Sequence, residues 1–187
     1  MEERIDKRPI KIAITGPEST GKSFMATKLA SVFGGIVIGE YARIYLNKTS
    51  PKYTLNDIER IAVAQAALEN SYLGRGSNFL FCDTDMLVCK IWAEHVFGYC
   101  PESIAKLYHE QQYDLTLLMD IDIPWIPDSL RENPDDREAI LSKYKYALKQ
   151  SGRSFFLVSG TEENRLKNAI DIIRKQFNIE SSSLNIL

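Results

Sequence analysis

An octapeptide near the N-terminus carries the clearest chemical pattern in the chain. Residues 16–23 read Gly-Pro-Glu-Ser-Thr-Gly-Lys-Ser, which fits the phosphate-loop spacing of glycine, four residues and Gly-Lys-Ser. Such a backbone curls until its N–H groups converge on one anion. Lys22 can then reach the β- and γ-phosphates, and the Ser23 hydroxyl can ligate Mg²⁺. The pattern predicts a nucleoside triphosphate site formed by Gly16, Glu18, Ser19, Thr20, Gly21, Lys22, Ser23 and Phe24.

The residues on either side of this loop supply the elements that would position it. Residues 11–15 are predicted to form a short buried strand, and residues 24–33 a helix with Phe24 among its core-facing residues. The N-terminus of that helix would add positive charge beside the phosphates. A glycine-rich turn that matched the pattern by chance would not need a strand before it and a helix after it. Triphosphate binding is therefore the firmest prediction.

Two more predicted strands end in charged residues. Residues 36–38 form an apolar run followed by Glu40 and Arg43, and residues 79–82 form another followed by Asp83. Ligands bind outside the carboxyl ends of strands in open α/β sheets, so Glu40 and Arg43 are placed to meet the phosphoryl acceptor. The same pair is equally compatible with a helix start. Asp83 is typical of the aspartate that holds Mg²⁺ through a water.

Two further polar residues allow two interpretations each. Asp85 would project toward the substrate from the turn after the third strand, but it can also cap the next helix. Gln65 interrupts the apolar face of a helix predicted over residues 54–73. It is either a nucleoside contact or an ordinary residue at a helix edge.

The charged, proline-broken segment 130–137 also has two interpretations. It is either a solvated loop or a lid that excludes water, with Arg131 and Arg137 neutralising charge on the transferring group. The turn at 159–161, Ser-Gly-Thr, follows the fifth predicted strand and would lie beside the phosphate loop.

Length and composition limit the function classes. The 187 residues suit one domain, which we place at 10–178 between an N-terminal extension at 1–9 and a tail at 179–187. The net charge of −2 gives no overall basic field for nucleic acid. Three cysteines without a Cys-x-x-Cys pair favour a reducing compartment. No apolar stretch approaches the ~18 residues of a membrane span, so we expect a cytoplasmic protein.

Strand and helix patterns alternate five times along the chain, and the strands are almost continuously apolar. Such strands are typical of a parallel sheet covered by helices on both faces. The predicted fold is therefore α/β: a three-layer P-loop nucleoside- or nucleotide-kinase-like fold with a five-stranded parallel sheet.

Taken in order, these motifs resemble the ribosylnicotinamide kinase domain of the bacterial NadR family, which is grouped with the AAA-like P-loop ATPases. The resemblance covers about residues 10–175. It rests on the phosphate loop, Glu-Tyr-Ala-Arg at 40–43, Gln65, Asp-Thr-Asp at 83–85, the 125–131 segment and Ser-Gly-Thr at 159–161. It implies transfer of the ATP γ-phosphoryl group to the 5′-hydroxyl of nicotinamide riboside, giving nicotinamide mononucleotide, and the strand order 2-3-1-4-5.

The resemblance also implies roles for particular residues. Adenine would lie near Ser159, Gly160 and Thr161, and Mg²⁺ would be held by Ser23, with Asp83 acting through a water. Either Glu40 or Asp83 would accept the hydroxyl proton, and we favour Glu40. Trp125 would either stack on the cationic nicotinamide ring or anchor the lid in the core. The predicted catalytic residues are Lys22, Glu40, Asp83, Arg131 and Arg137, and the predicted substrate-binding residues are Glu40, Tyr41, Arg43, Gln65, Asp85 and Trp125.

The chain departs from the family at its N-terminus. Full-length members carry an adenylyltransferase domain, and often a DNA-binding domain, before this one, whereas about nine residues precede the first predicted strand here. We therefore expect no synthesis of NAD from the mononucleotide and no binding of DNA. The expected partners are ATP and a small nucleoside, and the chain can form a homo-oligomer.

Two competing functions remain. A kinase for another nucleoside or nucleotide would share every motif above. An ATPase or nucleotide switch that acts on a protein partner is disfavoured, because Thr84 stands where ATPase machines usually have glutamate. The Asn-Lys-Thr-Ser stretch at 47–50 also lacks the aspartate of guanine-binding motifs.

Overall fold

The structure is a computed structural model that describes residues 8–48 and 52–180. At its centre is a five-stranded parallel sheet in the order β2-β3-β1-β4-β5. The strands are β1 (Ile10–Thr15), β2 (Ile36–Ile38), β3 (Phe79–Asp83), β4 (Leu115–Met119) and β5 (Phe155–Val158). The predicted fold class and strand order are confirmed.

The register of the sheet explains where charged residues meet. Ile14 of β1 pairs with Asp83 of β3 on one side and with Leu117 of β4 on the other. All three strands run in the same direction, so their carboxyl ends share one edge of the sheet. The phosphate loop follows β1 at this edge, and it therefore lies next to Asp83.

Helices cover both faces of the sheet, which is why the strands are apolar on both sides. The helices are α1 (Lys22–Phe33), α2 (Tyr41–Leu46), α3 (Leu55–Ser71), α4 (Met86–Phe97), α5 (Glu102–Glu110), α6 (Arg137–Gln150) and α7 (Glu162–Phe177). Helices α1 and α7 pack together on one face. Helices α2 to α6 build the larger hydrophobic cluster on the other face.

Helix α1 begins at Lys22 rather than at Phe24, and one prediction about it was wrong. Phe24 is 57% exposed, whereas Leu29 and Ala30 are buried. At about 100° per residue, Phe24 lies more than a quarter-turn away from the direction shared by Leu29 and Ala30. Met25 and Ala26 fill the inward side of the first turn instead.

Some predicted boundaries fall on residues that the structure does not describe. Parts of the 1–9 extension, the 47–50 stretch and the 179–187 tail are of this kind. The start of the tail is described, and Ile179 packs against the α1 and α7 side of the core. Over residues 8–48 and 52–180, every helix is too short or too polar to cross a bilayer.

Candidate active site

The phosphate loop owes its shape to residues with positive φ. Gly16 has φ 136°, and a Cβ there would lie 2.8 Å from the Met119 carbonyl oxygen, so only glycine fits. Ser19 and Gly21 have φ of 55° and 78°. Gly21 is the residue immediately before helix α1. The curled backbone thus opens directly onto a helix N-terminus, the arrangement that binds phosphate.

Lys22 lies folded against its own loop. Its Nζ donates to the carbonyl oxygens of Gly16 and Pro17, at 3.0 and 2.8 Å. Burial lowers the pKa of Lys22, while the carboxylates of Glu40, Asp83 and Glu18 oppose that shift. A cation surrounded by three carboxylates marks this point as the electrostatic centre of the site.

Two arginines support the loop from behind. Arg137 Nη2 donates to the Ser19 carbonyl oxygen and Arg165 Nη2 to the Thr20 carbonyl oxygen, both at 3.2 Å. Arg165 is only 4% exposed and also contacts Asp122 and the Gly160 carbonyl oxygen. This arginine therefore links the 159–161 turn to the phosphate loop. Sequence reasoning missed Arg165 because nothing in its helical surroundings distinguishes it from a surface residue.

Glu40 lies both at a helix start and in the lining of a cleft. It is the residue before α2, and its carboxylate accepts from Arg43 Nε at 3.3 Å, as a helix start predicts. It also lines, as Arg43 does, the cleft that opens from the phosphate loop. The same Arg43 guanidinium also pairs with Asp128, with 3.1 Å between Nη1 and Oδ2. Burial raises the pKa of Glu40, and the nearby Lys22 works against that shift.

Asp83 ends β3 in an unusual turn. The next residue, Thr84, has φ 90°, which is rare for a β-branched side chain. The Thr84 N–H donates to the Ile14 carbonyl oxygen at 3.1 Å and fixes the turn. Asp83 is 5% exposed, and its Oδ1 has no hydrogen-bond partner among the described residues. A buried carboxylate oxygen without a partner is typical of a ligand-binding position.

A cleft of about 520 Å³ opens from the phosphate loop. Its lining includes two aromatic rings, Tyr53 and Trp92, which meet edge to face at 4.8 Å between centroids. Burial raises the pKa of Tyr53 to about 12, so its hydroxyl stays protonated. Besides loop residues, the cleft is lined by Glu40, Arg43, Leu46, Tyr53, Val88, Ile91, Trp92, His95, Ile140, Tyr144 and residues 129–133. Sequence reasoning missed Tyr53 and Trp92, because only the tertiary fold brings them together.

Two predicted substrate contacts lie buried outside the lining of this cleft. Gln65 is 1% exposed; its Oε1 accepts from the Tyr41 N–H at 2.8 Å, and its Nε2 donates to Glu69 at 3.2 Å. Asp85 precedes α4 and caps it by accepting from Val88 N–H at 3.3 Å. Its Oδ1 also accepts from the Thr15 hydroxyl at 2.8 Å.

Trp125 and Arg137 also lie away from the cleft lining. The Arg137 guanidinium stands 5.9 Å from the centre of the Trp125 ring and donates to the Ile123 carbonyl oxygen at 3.0 Å. Arg131 does line the cleft. It belongs to residues 126–133, which we call the lid segment because they cover the phosphate loop through hydrogen bonds to Glu18 and Ser19.

Comparison with known proteins adds independent findings. A family model described as AAA domain (AAA_28) matches residues 11–165. The trifunctional NAD biosynthesis/regulator protein NadR of Salmonella typhimurium (strain LT2) is 26% identical over 171 residues, which are 88% of this chain and 42% of that protein. The chain thus spans less than half the length of that relative.

Two solved structures described as NadR have the same fold. The one in complex with NR superposes with a TM-score of 0.75 at 20% identity, covering 94% of this chain and 53% of that chain. The one in complex with NAD and AMP-PNP gives a TM-score of 0.74 at 21% identity, covering 92% of this chain and 50% of that chain.

Proposed function

We propose that this chain, which belongs to the AAA_28 family of AAA domains, is an ATP-dependent kinase that converts nicotinamide riboside to nicotinamide mononucleotide. One observation carries the proposal: the phosphate loop, the Glu40 carboxylate and the Tyr53 and Trp92 rings line a single cleft. A nucleoside kinase must bring together a phosphate cradle, a proton acceptor and a flat apolar surface. The NadR structures solved with NR and with AMP-PNP support this choice of substrates.

The phosphates of ATP would lie on the amides of residues 16–23, with adenine toward the 159–161 turn. The Mg²⁺ expected with ATP fits Ser23 and Asp83, because Asp83 Oδ1 is buried with no hydrogen-bond partner among the described residues. Ser23 stands in the first turn of α1, where its hydroxyl is exposed. When bound, the ion supplies charge neutralisation at the phosphates.

Glu40 is our candidate for the base that accepts the 5′-hydroxyl proton. Its pKa is raised by burial, which makes it a stronger proton acceptor than a free glutamate. The 3.3 Å contact from Arg43 fixes the orientation of its carboxylate. A positioned base contributes about 10² to 10⁴ in rate.

Charge on the transferring group would be neutralised by Lys22 and Arg131, both of which line the cleft. Arg137 turns its guanidinium to the carbonyl oxygens of Ser19 and Ile123. We therefore assign Arg137 to holding the phosphate loop in shape. Phosphoryl transfer passes through a loose transition state, so such positioning makes up much of the catalysis.

The nicotinamide ring would lie against Trp92 and Tyr53 rather than against Trp125. A cation stacked on such rings gains about 0.5 to 2 kcal/mol. The amide of Gln65 and the Oδ1 atom of Asp85 are engaged within the protein, whereas Asp85 Oδ2 has no hydrogen-bond partner among the described residues. Because both residues lie outside the cleft lining, we assign both to positioning. Tyr41 helps to position Glu40 through its backbone N–H, which donates to Gln65, and Arg43 does so through its guanidinium, which pairs with the Glu40 carboxylate.

An acceptor panel tests this function. The protein is incubated with ATP, Mg²⁺ and either nicotinamide riboside, adenosine, uridine, thymidine or a nucleoside monophosphate, and products are identified by mass. We expect kcat/KM for nicotinamide riboside to exceed the others at least about tenfold, the margin that ~1.4 kcal/mol of preferential transition-state binding gives. The Lys22→Ala variant should lose turnover, and the Lys167→Ala variant, which changes an exposed lysine on α7, should keep it.

Other results of the panel would replace the proposal. Preference for a different acceptor would make this a kinase for that nucleoside or nucleotide. ATP hydrolysis that no acceptor changes would indicate an ATPase module acting on another partner.

A further inference from the structure

A carboxylate inside the phosphate loop has an unexpected set of partners. Glu18 Oε2 accepts from the backbone N–H groups of Glu132 and Asn133, at 2.9 and 3.2 Å. Its Oε1 accepts from the Asn133 side-chain amide at 3.4 Å. Three donors, all from the far end of the lid segment, thus converge on one loop residue.

The next loop residue holds the other end of the same segment. Ser19 Oγ accepts from the Ile126 N–H at 2.8 Å and from Arg131 Nη1 at 3.4 Å. Arg131 Nη1 also donates to the Ile126 carbonyl oxygen. The Arg131 guanidinium is therefore held at the Ser19 end, while its backbone directly precedes Glu132, whose N–H is held by Glu18.

The remaining contacts of the lid segment are made by side chains on its flanks. Tyr53 donates to the Glu132 carboxylate, and Arg43 pairs with Asp128 at 3.1 Å. The His95 ring meets Asn133 Oδ1 at 3.2 Å. Glu18 differs from these because it binds backbone amides, so it fixes the path of the chain itself.

Electrostatics makes the position of Glu18 informative. A negative carboxylate beside a triphosphate opposes binding, since like charges at close range repel. Glu18 instead directs its oxygens to donors on the lid segment. These hydrogen bonds stabilise the negative charge of the Glu18 carboxylate and fix its orientation toward the lid segment. Glu18 therefore contacts the lid segment, whereas the backbone of the loop is shaped to hold phosphate.

We propose that Glu18 is a positioning residue that docks the lid segment on the phosphate loop and thereby aims Arg131 at the transferring phosphoryl group. Without the dock, the lid segment opens, water enters, and Arg131 is no longer held over the loop. The docking step stands on contacts of the resting protein, whereas its effect on transfer rests on the proposed kinase function.

Hydrogen exchange on the full chain without ligands tests docking alone. Peptides covering residues 126–136 are followed by mass in wild type, Glu18→Ala, Glu18→Gln and Glu163→Ala. We expect exchange of the lid amides to rise at least about tenfold in Glu18→Ala, because local opening exposes them. Glu18→Gln keeps an acceptor oxygen and should recover most of the protection. Glu163→Ala changes an exposed carboxylate outside the cleft lining and should match wild type.

Kinetics tests whether Glu18 acts through Arg131. We expect Glu18→Ala to lower kcat for transfer about tenfold and to raise the ratio of ATP hydrolysis to transfer by a similar factor, since an open lid admits water. In the Arg131→Ala background, the added Glu18→Ala change should lower kcat less than twofold, because coupled residues are not additive.

The two experiments separate two failures. Unchanged exchange at residues 126–136 in Glu18→Ala overturns the docking role, whatever the enzyme phosphorylates. Faster exchange with fully additive kinetic effects overturns the action through Arg131. If the wild type transfers phosphate to no acceptor, the kinase function fails, while the exchange result still decides the docking role.

Discussion

At the scale of single residues, the chemistry turns on carboxylates whose surroundings differ. Glu40 lines the cleft near Lys22 and has a raised pKa, and Asp83 ends a strand with a buried oxygen that accepts no hydrogen bond from the described residues. Asp85 is fully buried and caps a helix. Three acids within one small region thus have three different environments, from which we infer three different tasks.

The base assignment predicts the effect of changing Glu40. Glu40→Gln should lower kcat at least about 100-fold and leave ATP affinity nearly unchanged, since a general base contributes in the transition state. The base works deprotonated, so wild-type kcat/KM should fall as pH drops below its raised pKa. This acid limb should be absent from the residual activity of Glu40→Gln. A loss smaller than tenfold would move the base to Asp83.

Asp85 predicts a pH dependence of stability. Burial raises its pKa to about 6, above the ordinary value of 3.8, so the folded protein holds this proton more tightly than the unfolded chain. Stability contributed by Asp85 is therefore present below pH ~4 and is lost as pH rises toward ~6. Asp85→Asn cannot titrate, so from pH 4 to 7 it should gain about 2 kcal/mol relative to wild type.

Urea unfolding at several pH values measures this difference. Asp114→Asn is the matched control: burial raises the pKa of Asp114, but the hydrogen bonds and charge of Arg8 and the Lys11 N–H outweigh burial and leave the pKa below its ordinary value. Its contribution is lost only as pH falls below the ordinary aspartate range, so this variant should keep the wild-type slope from pH 4 to 7. Parallel curves for Asp85→Asn and wild type would mean that Asp85 is already charged when folded.

At the scale of elements, short helix α2 is held by a longer neighbour. The Gln65 side chain of α3 accepts from Tyr41 N–H, the first amide of α2, next to Glu40. Since the first amides of a helix have no partner within it, this bond fixes where α2 begins and where Glu40 points.

Gln65→Leu should therefore reduce both stability and turnover. We expect a loss of about 1–3 kcal/mol in unfolding free energy, the usual effect of leaving a buried donor unpaired, and a fall in kcat larger than any change in KM for ATP. Ile173→Val is the control, since Ile173 is a buried residue of α7 on the opposite face of the sheet and outside this hydrogen-bond network. It should destabilise while kcat per folded molecule stays constant; equal kinetic losses in both variants would refute the positioning role.

The same scale explains what sequence alone could predict. Strands β1, β2 and β3 and helix α3 lie within two residues of their predicted boundaries, because apolar periodicity and caps are local signals. The phosphate loop is predictable because its chemistry lies within eight neighbouring residues. The Tyr53–Trp92 contact joins residues 39 positions apart, and no local pattern encodes it. Phe24 was misplaced because, at about 100° per residue, it points away from the buried Leu29 and Ala30.

At the scale of the whole molecule, a buried ion pair connects the amino-terminal end of the central strand β1 to the site. Lys11 Nζ and Glu69 Oε2 lie 2.7 Å apart with side chains 5% and 0% exposed. Tyr113 donates to the same Glu69 oxygen at 2.9 Å, and Gln65 donates to the other oxygen. This network explains why Gln65 and Glu69 interrupt an apolar helix face. Through Glu69, Gln65 and the Tyr41 N–H, the network links Lys11 near the start of β1 to the residue next to Glu40.

This network predicts strongly coupled effects on stability. Glu69→Leu alone should cost about 3–5 kcal/mol, because it strands a buried lysine charge, whereas Lys11→Met with Glu69→Leu should cost clearly less than the sum of the single changes. Denaturant unfolding of all four proteins gives the coupling. Removing Asp171, which pairs with Lys167 on the surface of α7 with both side chains more than half exposed, should cost under ~0.5 kcal/mol. Additive losses from Lys11 and Glu69 would show that the two charges are solvated independently. The proposed link from β1 to Glu40 would then be wrong, because the Lys11–Glu69 pair is its first contact.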